Sequence, residues 1–240
     1  MIIRGISKLT LLDFPGHIAC TVFTGGCNFR CPYCHNAGLV LDAPEYPEIP
    51  EDEFFDFLES RKNKLEGVCI TGGEPTLNSG LPEFIKKIKL AGFNVKLDTN
   101  GYLPDVLESL IKSGDLDMIA MDIKNSPEKY ALTAGLDETH FDLKKIKRSV
   151  EMIKKSGIAY EFRTTVARPF HELSDMTRIG EWLAGPSPYF IQNYKESAEP
   201  LCFKEHKDLH PAPYSEDELT AFLDEVKKYL LNAHVRGRED

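Results

Sequence analysis

Cys27, Cys31 and Cys34 stand in one run, Thr24-Gly25-Gly26-Cys27-Asn28-Phe29-Arg30-Cys31-Pro32-Tyr33-Cys34-His35-Asn36, spaced C-x3-C-x2-C. Thiolates are soft ligands, and three of them on a short loop suit zinc or an iron–sulfur cluster. A cubane cluster has four irons, so three cysteines leave one iron open to other ligands. Structural zinc would need His35 as a fourth ligand. Cys34 and His35 are adjacent, so aiming both at one ion strains the backbone, and structural zinc sites are usually built from two separated ligand pairs. Disulfides fit the spacing less well, and Met1-Ile2-Ile3-Arg4 opens no secretory leader. Cys20 and Cys69 fall inside apolar strands and read as small buried residues, while Cys202 has no companion.

The elements that must hold this loop alternate. His17 to Thr24 reads as a strand leading into it, after a lead-in over residues 1–16 with a turn at Asp13-Phe14-Pro15-Gly16. Further strands are expected at Gly67–Thr71, Phe93–Asp98, Asp117–Asp122, Ile158–Val166 and Tyr189–Tyr194. Helices are expected from Pro50-Glu51, over Leu81–Ala91, Leu103–Lys112, Phe141–Lys155 and Leu173–Leu183, and over 215–231 at the end; residues 37–50 read as loop and 234–240 as a frayed tail. Strand–helix alternation implies right-handed βαβ units and a parallel sheet. Six such units make an α/β fold, a partial (β/α)6 TIM-like barrel, in one domain over 1–240. In barrels the reactive side chains lie at the carboxyl ends of the strands. Gly72-Gly73-Glu74-Pro75, Asp98-Thr99-Asn100-Gly101, Asp122-Ile123-Lys124 and Arg163 all meet that condition. The glycines allow close approach to a ligand, or form an ordinary strand-end turn. Asp98 and Asp122 each end a buried strand and need a partner, for which Lys124 is one candidate.

The cysteine run resembles the signature of the radical S-adenosylmethionine (SAM) superfamily. With Leu11-Leu12-Asp13-Phe14-Pro15-Gly16 it is similar to the activating enzymes of glycyl-radical proteins. That family includes the activators of anaerobic ribonucleoside-triphosphate reductase, which the run resembles most, and of pyruvate formate-lyase. The resemblance implies one [4Fe–4S] cluster on Cys27, Cys31 and Cys34, and reductive cleavage of SAM to a 5′-deoxyadenosyl radical. That radical would take a glycine Cα hydrogen from a partner glycyl-radical protein, with flavodoxin or ferredoxin as electron donor. The resemblance also implies the SAM contacts. Gly72, Gly73 and Glu74 meet the amino group, unless Glu74 only stabilises its loop. Tyr33 meets the adenine, unless it only packs the loop. Lys124 lies near the SAM carboxylate, and Arg163 matches a family arginine. Asp98, Thr99, Asp122 and the Ala120 carbonyl would hold a monovalent cation, unless a plain Asp–Lys pair holds the rim. The family's ribose-contacting histidine is missing, and Gln192 or Asn193 stands in its region. A radical SAM enzyme acting on a small molecule, such as a deazapurine synthase, is the rival within the superfamily. A zinc-stabilised module without catalysis is the rival outside it.

The chain of 240 residues is 42% hydrophobic and 28% charged, with formal net charge −9. That balance speaks against a nucleic-acid partner, which needs clustered Lys and Arg. The Lys-rich stretch Lys144–Lys155 reads instead as a solvated helix face, since Ile146, Val150 and Ile153 recur at helical spacing. No apolar run approaches spanning length, so no membrane is expected, and because Met1-Ile2-Ile3-Arg4 does not open a long apolar region a cytoplasmic protein is expected.

Overall fold

The computed structural model describes residues 1–41, 43–196, 201 and 210–237. The strand that leads into the cysteine run is β2 (Ala19–Thr24), and its sequence ACTVFT is buried at five of six positions. Such a run is what a strand with neighbours on both sides requires. The neighbour on one side is β1 (Ile3–Thr10), antiparallel to β2. The lead-in is therefore a strand followed by the expected turn. Its half-exposed pattern, an edge strand's, carries too little apolar alternation to stand out. On the other side β3 (Gly67–Gly72) pairs in parallel with β2, and β4 (Asn94–Thr99) with β3. Next come β5 (Met118–Asp122), β6 (Ala159–Val166) and β7 (Tyr189–Asn193), with β7 parallel to β6.

Chain contacts fall into two compact units. The first comprises Met1–Asn28, Gly38–Ala120 and Lys145–Ala159. The second comprises Phe29–Ala37, Met121–Lys144 and the chain from Tyr160. In the first, a short α1 (Ala37–Leu41) interrupts the expected loop. Then α2 (Glu51–Ser60) starts after Pro50 with three acidic residues in its first turn, where the helix dipole favours them. Its Phe54 packs 5.3 Å from Phe84 of α3 (Leu81–Leu90), whose Leu81, Phe84, Ile85 and Ile88 are buried. Proline opens α4 (Pro104–Ser113). The Lys-rich segment is α6 (Leu143–Lys155). Ile146, Ser149, Val150 and Ile153 face inward and Lys144, Lys145, Lys147 and Lys155 are exposed, as the spacing predicts.

In the second unit α5 (Tyr130–Ala134) is a single short helix the sequence did not announce. Helix α7 (Leu173–Leu183) matches its expected span. The last helix, α8 (Glu216–Lys227), is capped by Ser215 and Glu218 in a reciprocal box and stops short of the expected 231. The frayed tail needs correction. Ala233–Val235 form β8, parallel to β7, and Val235 is buried. Two apolar residues around a histidine were too short a signal. Cys202 and 238–240 lie outside the described residues. Among the described residues eight strands follow chain order in one sheet that is mostly parallel and not closed, a partial TIM-like barrel. Among the described residues no helix is long and apolar enough to cross a membrane.

Candidate active site

In the first unit the cysteine run begins with backbone packed on backbone. Gly73 donates its N–H to Thr24 O at 2.9 Å, and Glu74 donates to Gly26 O at 2.8 Å. A Cβ on Gly73 would lie 1.9 Å from Gly26 O. One on Gly72, at φ +118°, would lie 2.3 Å from Thr24 N. What these glycines let approach is the start of the cysteine loop. The ligand approach expected of them is not needed to explain them.

Glu74 is 1% exposed. Its carboxylate accepts from Thr99 Oγ1 at 2.8 Å, from Asn100 N at 2.7 Å, and from Thr76 N at 3.1 Å and its hydroxyl. Burial pushes this carboxyl above its usual range, against the pull of those hydrogen bonds. The side chain thus ties the end of β3 to the end of β4. Asn100 continues the chain of contacts: its Nδ2 donates to Asn28 Oδ1 at 2.7 Å and lies 3.8 Å from Cys27 Sγ. Asp98 pairs with Lys96, two residues earlier on the same strand face.

In the second unit, Arg30 N donates to Ala134 O and Cys34 N to Cys31 O, at 2.8 and 3.0 Å. Burial pushes the Cys34 thiol above its usual range. Tyr33 is 4% exposed and packs on Phe170 and edge-on to His171, at 5.4 and 5.8 Å between centroids. Its hydroxyl is buried with no hydrogen-bond partner among the described residues. His35 stacks on Tyr194, and its Nε2 lies 2.5 Å from the Lys195 carbonyl. Nε2 of the ring is thus taken by a backbone carbonyl, which speaks against its serving as a zinc ligand.

Asp122, the last residue of β5, lies 2.9 Å from Lys124 Nζ and 3.0 Å from an Arg163 guanidinium nitrogen. Burial alone would raise this carboxyl, but the charges and hydrogen bonds of Lys124 and Arg163 bring it well below the usual range. Lys124 is held above its ordinary value by the Asp122 carboxylate, against burial. Its carbonyl meets His171 Nε2 at 2.8 Å. Glu161, two residues before Arg163 and 1% exposed, bridges Arg163 at 3.8 Å and Arg236 at 2.7 Å. Gln192 stands on β7 opposite Thr165 of β6, with 3.5 Å between their side-chain oxygens.

The family model for the radical SAM superfamily matches residues 21–182. This chain belongs to the radical SAM superfamily. It is 32% identical over 240 residues to a protein of Methanocaldococcus jannaschii named a putative glycyl-radical enzyme activating enzyme, covering 98% of this chain and 95% of that one. It is 28% identical over 223 residues to a probable GTP 3′,8-cyclase of Saccharolobus solfataricus, covering 90% and 68%. A radical SAM methyltransferase from Sphaerobacter thermophilus has the same fold, with a TM-score of 0.72 at 13% identity over 93% of this chain and 67% of that one. So has Streptococcus suis SuiB bound to SAM, at 0.67 and 14% over 89% and 49%.

As a radical SAM enzyme the chain uses a [4Fe–4S] cluster and SAM. Three soft thiolates on one loop are a donor set whose chemistry suits the cluster. None of the five described cysteines is in a disulfide. The buried Asn28 side-chain nitrogen has no partner among the described residues, and Asn100 reaches toward Cys27 sulfur. Among the described residues no three His, Cys, Asp or Glu side chains are arranged for a single metal ion. Sequence reasoning missed Lys96, Glu161 and His171, and gave Asn100 no role beyond its place in the motif after the strand. For Lys96 and Glu161 a signal was available: Lys96–Asp98 and Glu161–Arg163 are opposite charges two apart on strands, hence on one face.

Proposed function

We propose that this radical SAM enzyme activates a glycyl-radical protein by removing a glycine Cα hydrogen, the partner being an anaerobic ribonucleoside-triphosphate reductase. The observation that carries the reading is the end-to-end likeness to the Methanocaldococcus jannaschii relative, 98% of one chain against 95% of the other. In this reading Cys27, Cys31 and Cys34 hold one cluster, and a flavodoxin or ferredoxin supplies the electron. When bound, the cluster and SAM together supply the hydrogen-abstracting radical.

The chain's own residues bind and orient. Gly72 and Gly73 fix the start of the cysteine loop and present backbone to the SAM amino group. Glu74, saturated by Thr76, Thr99 and Asn100, braces that backbone. Lys124 and Arg163 meet the SAM carboxylate as cations already oriented by Asp122. Gln192 takes the ribose. Tyr33 packs the loop on Phe170 and His171, which supports its packing role over the adenine contact.

The test incubates reduced, cluster-loaded enzyme and SAM with the reductase and records the electron paramagnetic resonance spectrum. A glycyl doublet, lost when the target glycine becomes Ala, is expected. No doublet, with SAM cleavage intact, refutes the reductase as partner. A second reading, a small-molecule substrate, draws on the likeness to the GTP 3′,8-cyclase. It would be favoured by SAM cleavage that responds to a nucleotide and to no protein.

A further inference from the structure

The resemblance implies a monovalent cation between Asp98, Thr99 and Asp122, but the donor set does not fit one. Lys96 has a fully buried side chain, and its ammonium pairs with Asp98 Oδ1. It also lies 3.8 Å from Cys69 Sγ. A buried ammonium is costly unless a carboxylate compensates it, so Lys96 needs Asp98. An added metal cation at Asp98 would put a second positive charge beside the first in a medium that screens poorly. Thr99 is equally committed: its hydroxyl donates to Glu74 Oε1 at 2.8 Å and accepts from Gly101 N at 3.1 Å. Asp122 has Lys124 at one oxygen and Arg163 at the other. Among the described residues the ion pairs around it join three cations, Lys124, Arg163 and Arg236, to two carboxylates, Asp122 and Glu161. Three minus two leaves one positive charge for an anionic group, with no ion recruited from solution.

We propose that this enzyme dispenses with the monovalent cation, and that Lys96 is the positioning residue that takes its place at Asp98. The ammonium pairs with Asp98 and fixes it near the end of β4, while Lys124 and Arg163 present the positive charge that a carboxylate ligand requires. The strand period makes this possible. Residues 96 and 98 share a face, so the counterion is part of the strand that carries the acid. The inference rests on the reading that these residues serve SAM.

SAM binding to the anaerobically reconstituted enzyme is measured at constant ionic strength in potassium, sodium and choline chloride. The wild-type affinity should agree within about twofold in all three salts, since no site selects an ion. The Lys96→Met protein should bind SAM about tenfold more weakly in choline, and potassium should restore much of that loss by occupying the vacated place at Asp98. Lys96→Arg should keep the wild-type indifference to salt. Iron content reports whether each variant is folded and loaded, and the wild-type comparison needs no variant. A wild-type affinity about tenfold higher in potassium or sodium than in choline overturns the proposal alone. So does a folded Lys96→Met protein that binds as the wild type does in every salt. No SAM binding by the loaded wild type in any salt overturns the functional reading together with the proposal.

Discussion

Glu74 and Asp122 are carboxylates at the carboxyl ends of strands, one just past β3 and one closing β5, and the fold treats them in opposite ways. Glu74 is almost fully buried among neutral donors, two hydroxyls and two backbone N–H groups. Asp122 is 33% exposed and sits between two cations. Burial dominates at the first and raises its pKa. Opposite charge wins at the second and lowers it. A carboxylate surrounded by neutral donors braces backbone and has little left to offer a ligand. One that orients two cations leaves their remaining donors for a ligand. The first unit thus holds the start of the cysteine loop in shape, and the second presents charge.

The bracing side should break most severely where backbone meets backbone. Gly73→Ala puts a Cβ 1.9 Å from a carbonyl oxygen that cannot swing away. We expect a loss of about 3 kcal/mol in denaturant unfolding, with loss of iron. Gly92→Ala is the control. Its φ of +91° is also unfavourable for alanine, but nothing lies within 4 Å, so about 1 kcal/mol should go.

The charged side should break functionally. Asp122→Asn removes the anion that orients Lys124 and Arg163. Partial exposure screens the pair, so the stability cost should be about 1 kcal/mol. SAM should bind about tenfold more weakly, by the loss of orientation. Iron content should stay at the wild-type level. Glu74→Gln should show the reverse split. Its new NH2 must face the Asn100 N–H or the threonine donors, a donor against a donor, costing about 2 kcal/mol. SAM affinity in the fraction still folded and loaded should hardly change.

The smallest effect is in pH. Glu74 has a raised folded pKa, so its ionised form is penalised in the native state. Wild-type stability relative to Glu74→Gln should therefore rise as pH falls from neutral through that pKa toward the ordinary 4.5. Asp122 has a lowered folded pKa. Its contribution relative to Asp122→Asn should hold flat down to the ordinary 3.8 and fade only as pH drops toward the depressed value. Slopes of the same sign would contradict the comparison.

Much of this was legible in the sequence, and the rest was not for physical reasons. C-x3-C-x2-C is a local ligand pattern, and the strand-end residues stood out because each followed an apolar run. What Gly72 and Gly73 meet was not legible, since Thr24 and Gly26 are tens of residues away and no local rule pairs them. β1 and β8 were missed because an edge strand and a three-residue strand carry little alternation. Lys96 was missed through attention to the residues after each strand and neglect of the one two places before its end. There a lysine and an aspartate share a face.

The central claim is that Cys27, Cys31 and Cys34 alone hold the cluster. It is tested most directly by iron and sulfide analysis with Mössbauer spectroscopy on anaerobically reconstituted single-cysteine variants. The wild type and Cys69→Ala should each carry about four irons and four sulfides as one [4Fe–4S] cluster. Cys27→Ala, Cys31→Ala and Cys34→Ala should each lose that cluster. A Cys31→Ala protein that keeps the full cluster, or a Cys69→Ala protein that loses it while still folded, would contradict the account.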